Sequence, residues 1–349
     1  MATMTDIAER TDSAHLTGHL PYLDGWRGIA IALVLAGHFM PSFGLNPAPL
    51  GVNFFFVLSG RLMAEILFVR ASRFDMFYQR RFSRIYPALV ALAFALLALT
   101  PFLPKLRVGW PEVLMALTFT FNYFGVITGE KMSALGHVWS LCVEEHAYII
   151  LTLIAFSHRR WNTNVPLVLA VITVASMINL ALRSYLATDP SGNIGFYTDT
   201  RIGSIFASVA LYLWMRPKLY KIGSVWLAAL PIVAGLLGVA LSTFAAPGWV
   251  RSTVAPVFLA ISVCSIDVAY PFVIKMLSLR FITMIGVWSY SLYLWQQPLM
   301  AFRPSHQTYD FNLMAMAFIP ALISFYLIEK PARNAINHAF AFRRRLATA

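Results

Sequence analysis

Residues Asp24-GWRGIAIALVLAGHFMPSF-Gly44 form an apolar run of membrane-crossing length with an arginine near one end and a histidine near the other. Arg27 and His38 are eleven residues apart. In an α-helix that separation is about 1100° of rotation, so both side chains fall on one face, about 16 Å apart along the axis. That distance is about half the ~30 Å thickness of a hydrocarbon core. A cation and a proton-exchanging ring on one stripe are costly against lipid. The stripe is therefore expected to face the protein interior, where His38 either does chemistry or bonds a neighbouring helix.

The composition agrees with a membrane setting. Of 349 residues, 59% are apolar and 12% are charged, about half the charged share of a soluble domain. The net charge of +12 resides largely in short loops between apolar runs, which is the positive-inside pattern rather than a nucleic-acid surface. Its first meaning is topology and its second an anionic ligand. Cys142 and Cys264 both lie in apolar runs and read as core residues, not a disulfide framework. The N-terminal residues lack the basic, apolar, small-residue order of a cleavable signal. The expected organisation is a polar cytoplasmic stub over 1–21, one transmembrane domain over 22–328 and a basic cytoplasmic tail over 329–349, with no appended soluble domain.

Eleven runs approach spanning length, the first at 24–43 and the last at 311–328. Basic loops at 70–84, 158–160, 216–221, 275–280 and 330–345 favour the cytoplasm. The stretch from 84 to 158 must then cross an even number of times, yet it holds three runs. The 112–128 run, with Asn122, Tyr123 and a polar Gly129–Gly136 sequel, is the one expected to dip or tilt. This predicts an all-α bundle of about ten transmembrane helices plus one re-entrant or tilted segment, both termini inside. Glu144 then falls a few residues below the outer surface, at the depth of His38.

Three constellations carry chemistry. Arg81 and Arg84 are spaced i,i+3 before the third helix, and planar guanidinium forks suit phosphate oxygens. With Arg27 at the same level they form a candidate pocket for a phosphate-rich ligand. The second is Trp139-SLCVEE-His146. Its Glu144 is open to three readings: orienting the His38 imidazole, bonding a polar substrate, or pairing with a cation such as Arg201. His137, Glu144, Glu145 and His146 fit no zinc-ligand spacing, so no metal is expected. The third is Arg61 with Glu65, spaced i,i+4 and read as a self-neutralising bridge. Asp199 and Arg201 are candidate acceptor contacts, or equally anchors of their helix.

The segments LDGWRGIA, GVNFFFVLSG, YQRRFSRIYP, HVWSLCVEEHAYI, YTDTR, WSYSLYLW and LIEKPARN, in this order, resemble the acyltransferase-3 family of integral-membrane enzymes that acylate sugars and lipids. The resemblance implies that Arg27 and His38 match the family's Arg-x10-His motif, with His38 catalytic. Arg81 and Arg84 match its Arg-x-x-Arg motif, linked to acyl-coenzyme A on the cytoplasmic side. Glu144 matches the glutamate of WSLxxE. It further implies O-acyl transfer, most simply O-acetyl transfer, from acetyl-coenzyme A to a cell-surface polysaccharide or glycolipid at a bacterial inner membrane. The donor is a substrate, and no permanently bound cofactor is implied. An extended pantetheine arm, on the order of 15–20 Å, compares with the Arg27–His38 separation. Three positions depart from the family pattern: Asn53 stands where Asp is frequent, Arg61 where an apolar residue is usual, and Gln296 where histidine is common. The alternative class is a transporter or flippase for an anionic or lipid-linked substrate, with His38 and Glu144 as a proton relay.

Overall fold

A computed structural model describes residues 20–128, 133–186, 194–219, 225–304 and 308–348. The stub expected over 1–21 lies outside the described residues apart from Leu20 and Pro21, as do residues 129–132 of the polar segment and Lys221. The described residues are helical throughout, with one isolated bridge between Leu45 and Thr243 and no strand.

The helices are α1 (Pro21–Phe39), α2 (Pro47–Met63), α3 (Phe74–Leu99), α4 (Trp110–Leu117), α5 (Phe124–Thr128), α6 (Trp139–Trp161), α7 (Val165–Leu186) and α8 (Thr198–Leu219). They continue as α9 (Leu230–Ala240), α10 (Gly248–Cys264), α11 (Pro271–Leu277), α12 (Arg280–Met300), α13 (Phe311–Met316), α14 (Phe318–Ser324) and α15 (Lys330–Thr348). Local signals set the ends. Asn46 caps α2 by accepting from the Ala48 amide at 3.2 Å, with Pro47 in the first turn. Asn162 adopts a left-handed conformation directly after α6.

Among the described residues, five helical stretches are long and apolar enough to cross a membrane: 47–69, 74–99, 136–161, 165–186 and 311–342. A sixth is counted if α11 and α12, bent by 54°, form one span. Ten spans are not reached by this measure, and the reason is visible in the remaining runs. α1 carries Asp24, Arg27 and His38, α8 carries Asp199, Arg201, Arg216 and Lys218, and the helices over 226–240 and 248–264 are short. The 112–128 run breaks into α4 and α5, eight and five residues long, neither able to cross. The Ala134 amide bonds the Leu106 carbonyl at 3.0 Å, so the chain leaves and returns at one place around this hairpin.

Outward faces are apolar. On α7, Leu167, Val171, Val174, Ile178 and Leu182 make an exposed stripe at helical spacing, as a lipid-facing surface requires. The opposite face presents Thr173 and Ser176, which bond the backbone of Gly203 on α8. Small residues let the two backbones approach. The same device seats α1. A side chain at Gly28 would strike the Ile282 carbonyl, and one at Gly286 would strike the Asp24 carbonyl, so α1 and α12 pack backbone on backbone.

One buried ion pair differs from expectation. Arg61 does not bridge to Glu65. It donates to both carboxylate oxygens of Asp267, at 2.6 and 2.8 Å, and to the Val263 carbonyl at 2.8 Å. Glu65 turns away, accepting from Arg70 at 2.9 Å and from the Tyr212 hydroxyl at 2.9 Å. Asp267 is 206 positions from Arg61, a partner that helical spacing cannot reveal. Cys142 and Cys264 are buried free thiols.

Candidate functional site

A cavity of about 410 Å³ opens between α1, α2, α3, α6 and α12. Its apolar flank comes from residues such as Phe55, Leu58, Leu62 and Ile85, and its charged flank from Arg27, Arg80, Arg81, Arg84 and Glu144. α3 supplies Arg81 and Arg84 from one face, as their spacing predicts.

The charges are not equivalent. Arg81 pairs with Glu144 at 3.0 Å and Glu145 at 2.7 Å, and its guanidinium lies 3.6 Å from the centre of the Tyr148 ring. Tyr148 donates to Glu144 at 2.7 Å and contacts Ser59, whose hydroxyl also reaches Glu144 at 3.4 Å. Arg81 is thus held by two carboxylates and serves as a braced wall. Arg27 is also matched, bonding Asp24 at 2.8 Å one turn away. Arg80 and Arg84 make no side-chain hydrogen bond or ion pair among the described residues, while both line the cavity. They hold the positive charge left for a ligand.

Glu144 belongs to this cationic end. It is not at the level of His38, and it does not pair with Arg201. α6 runs toward the arginine end from a wall where Tyr293, one turn before the Gln296 that holds His38, meets Ser140 and His137, and Glu144 lies seven positions beyond His137. Adjacent helical side chains point about 100° apart, yet Glu144 and Glu145 share Arg81, because its long fork reaches both.

At the other end of α1, His38 Nδ1 lies 2.6 Å from Gln296 Oε1. The Gln296 amide nitrogen donates to the Tyr293 carbonyl at 3.4 Å, which turns its oxygen toward the ring. With that oxygen accepting, Nδ1 is the ring nitrogen that donates. Gln296 is fully buried; a departure from the family pattern is therefore the direct partner of His38. Arg303 clamps the end of α1, donating to the His38 carbonyl at 2.6 Å and to Asp310 at 2.8 Å.

His38 is not among the cavity-lining residues. The cavity ends at Ser140 and Tyr293, whose hydroxyls lie 2.7 Å apart. Behind them sits His137, 4% exposed, its ring centre 5.2 Å from that of Tyr293. Neither Asp199 nor Arg201 lines the cavity. Asp199 is exposed and bonds Arg183 at 2.7 Å and Asn179 at 2.9 Å, tying α8 to α7. Arg201 is buried, donating to Asn53 at 2.9 Å, beside the rings of Phe56 and Trp139. Among the described residues, no three His, Cys, Asp or Glu side chains are grouped as metal ligands.

The family model described as "Acyltransferase domain" matches residues 20–328. The O-acetyltransferase OatA of Staphylococcus aureus is 27% identical over 368 residues, covering 96% of this chain and 60% of that protein. The peptidoglycan O-acetyltransferase OatA of Listeria monocytogenes is 25% identical over 353 residues, covering 90% of this chain and 56% of its own length. The chain therefore spans little more than half the length of these relatives. No solved structure matches it. With residues 20–328 covered, the chain is an integral membrane protein that belongs to the acyltransferase-3 family.

Proposed function

We propose that this protein is a membrane O-acetyltransferase that moves an acetyl group from acetyl-coenzyme A to a hydroxyl of a cell-surface glycan, in a single domain over 22–328. The printed names of the relatives support the reaction, and the Listeria relative's name suggests peptidoglycan as the acceptor class. The basic loops support an orientation in which the Arg80 and Arg84 end faces the cytoplasm of a bacterial plasma membrane, both termini on that side. The observation that carries the reading is the cavity itself. It has guanidinium groups without a hydrogen-bonded carboxylate at one end, an apolar flank, and the His137 imidazole behind its far wall.

On this reading the nucleotide phosphates rest against Arg80 and Arg84, with Arg27 and Arg81 shaping the mouth. Glu144 keeps Arg81 in place. His38 Nε2 takes the proton from the acceptor hydroxyl as its oxygen attacks the thioester carbonyl, and the carbon–sulfur bond breaks, a role worth about 10²–10⁴ in rate. Alternatively Nε2 attacks first and the acyl-imidazole passes the group onward. Either route needs the Tyr293 side chain to swing from Ser140. Asp199 lies outside this scheme, and Arg201 acts by holding Asn53 and α2.

The test is transfer of labelled acetyl groups in proteoliposomes that contain acceptor glycan. The wild type should label the acceptor in a donor-dependent way, and His38→Ala should reduce labelling to background while expression and donor binding persist. Uptake of a solute without covalent labelling would replace this reading with a transporter.

A further inference from the structure

His137 is a buried imidazole with no assigned task. Both ring nitrogens are sealed from solvent and lack a hydrogen-bond partner; the Ala134 carbonyl lies near the ring without reaching hydrogen-bond geometry. A polar ring buried this way costs free energy on the order of 1–3 kcal/mol unless a partner arrives. Its surroundings say which partner. Tyr293 donates to the His137 carbonyl at 2.7 Å and lies edge-on to its ring, while Ser140 closes the same wall. Tyr293 and Gln296 share a face of α12: the first holds His137 and the second holds His38. His137 thus lies behind the cavity's end wall, where the α12 residue that meets it is one turn from the one that holds His38.

Given the acetyl transfer proposed above, we propose that His137 is a second proton-exchanging residue, carrying the proton that His38 removes to the sulfur that leaves at the cavity end. The step balances. The acceptor oxygen forms a bond to the acyl carbon as the carbon–sulfur bond breaks, and its proton goes to His38 Nε2. From there it passes to a ring nitrogen of His137 and then to the departing thiolate, which leaves as the free thiol. Both imidazoles end neutral, and His137 keeps its starting tautomer when the ring nitrogen that accepts the proton also releases it. The relay needs no charge on His137 at rest, which suits a ring so deeply buried with no counter-ion.

The experiment compares His137→Ala and His137→Gln with the wild type and His38→Ala in the proteoliposome assay. Rates are normalised to sites counted by coenzyme A binding, so a misfolded fraction does not enter. Both His137 variants should lose about 10²-fold in kcat with little change in the KM for acetyl-coenzyme A. Added imidazole should restore part of the rate to His137→Ala and none to His38→Ala. Full kcat in either His137 variant overturns the proposal. So does a loss that imidazole fails to rescue while coenzyme A binding is intact, since that marks a packing role. A wild type with no donor-dependent transfer would instead overturn the functional reading beneath it.

Discussion

Arg61 and Arg81 are both guanidinium groups bound to carboxylates inside the bundle, yet they serve different ends. Arg61 is sealed. Its side chain is 3% exposed, it is bidentate with Asp267, and Tyr22 donates to the same carboxylate at 2.7 Å. Nothing is left over to bind a ligand. Arg81 stands on a cavity wall with two carboxylates, and its neighbours Arg80 and Arg84 keep open donors. A buried charge whose partners are all internal holds helices together. A charge cluster with surplus donors beside a cavity holds something else.

The sharpest way to break the comparison is Arg61→Met. It removes the cation bound to the buried Asp267 carboxylate and should cost about 3–5 kcal/mol, read as a lower unfolding midpoint in detergent. The double change with Asp267→Leu should recover most of that loss, because no buried charge then remains. Gln296→Leu removes the acceptor that fixes the His38 tautomer. It should lower kcat roughly 10–100-fold with donor binding retained, and an unchanged kcat would mean that the bond to His38 is incidental. Arg84→Ala should raise the KM for acetyl-coenzyme A about tenfold while kcat holds, whereas the same measurement on Arg61→Met should show stability lost before donor affinity. Asp199→Asn breaks a surface pair with Arg183, whose partners are 37% and 44% exposed. It should shift stability by no more than about 1 kcal/mol and leave the acetyl-transfer rate unchanged.

These cases also mark where sequence reading succeeds. Hydropathy identifies a helical membrane protein because the cost of lipid contact acts residue by residue. Helical spacing puts Arg81 and Arg84 on one face, and both line the cavity. The same spacing rule misassigns Arg61, since i,i+4 proximity to Glu65 competes with an Asp267 that arrives from another helix. Glu144 is misplaced in depth for a related reason: the assumed level followed from an assumed point of entry, while the packing of α6 against α3 sets it beside Arg81. Gln296 stood only as a departure from the family pattern, and His137 only in a set of residues that fits no zinc-ligand spacing. A glutamine or a lone histidine carries no signal until its neighbours are known, though His137 stands two residues before a motif already singled out.

What the chain's own order of residues determined is chemical character and local periodicity: an apolar helical bundle, a cationic face on α3, and an imidazole about 16 Å from Arg27 along α1. What only the tertiary structure decided is who meets whom. Backbone contact at Gly28 and Gly286 draws α12 against α1 and brings Gln296 to His38, 258 positions away. Partners so distant are chosen by how helices pack and slide, a property of the whole bundle that no single segment contains.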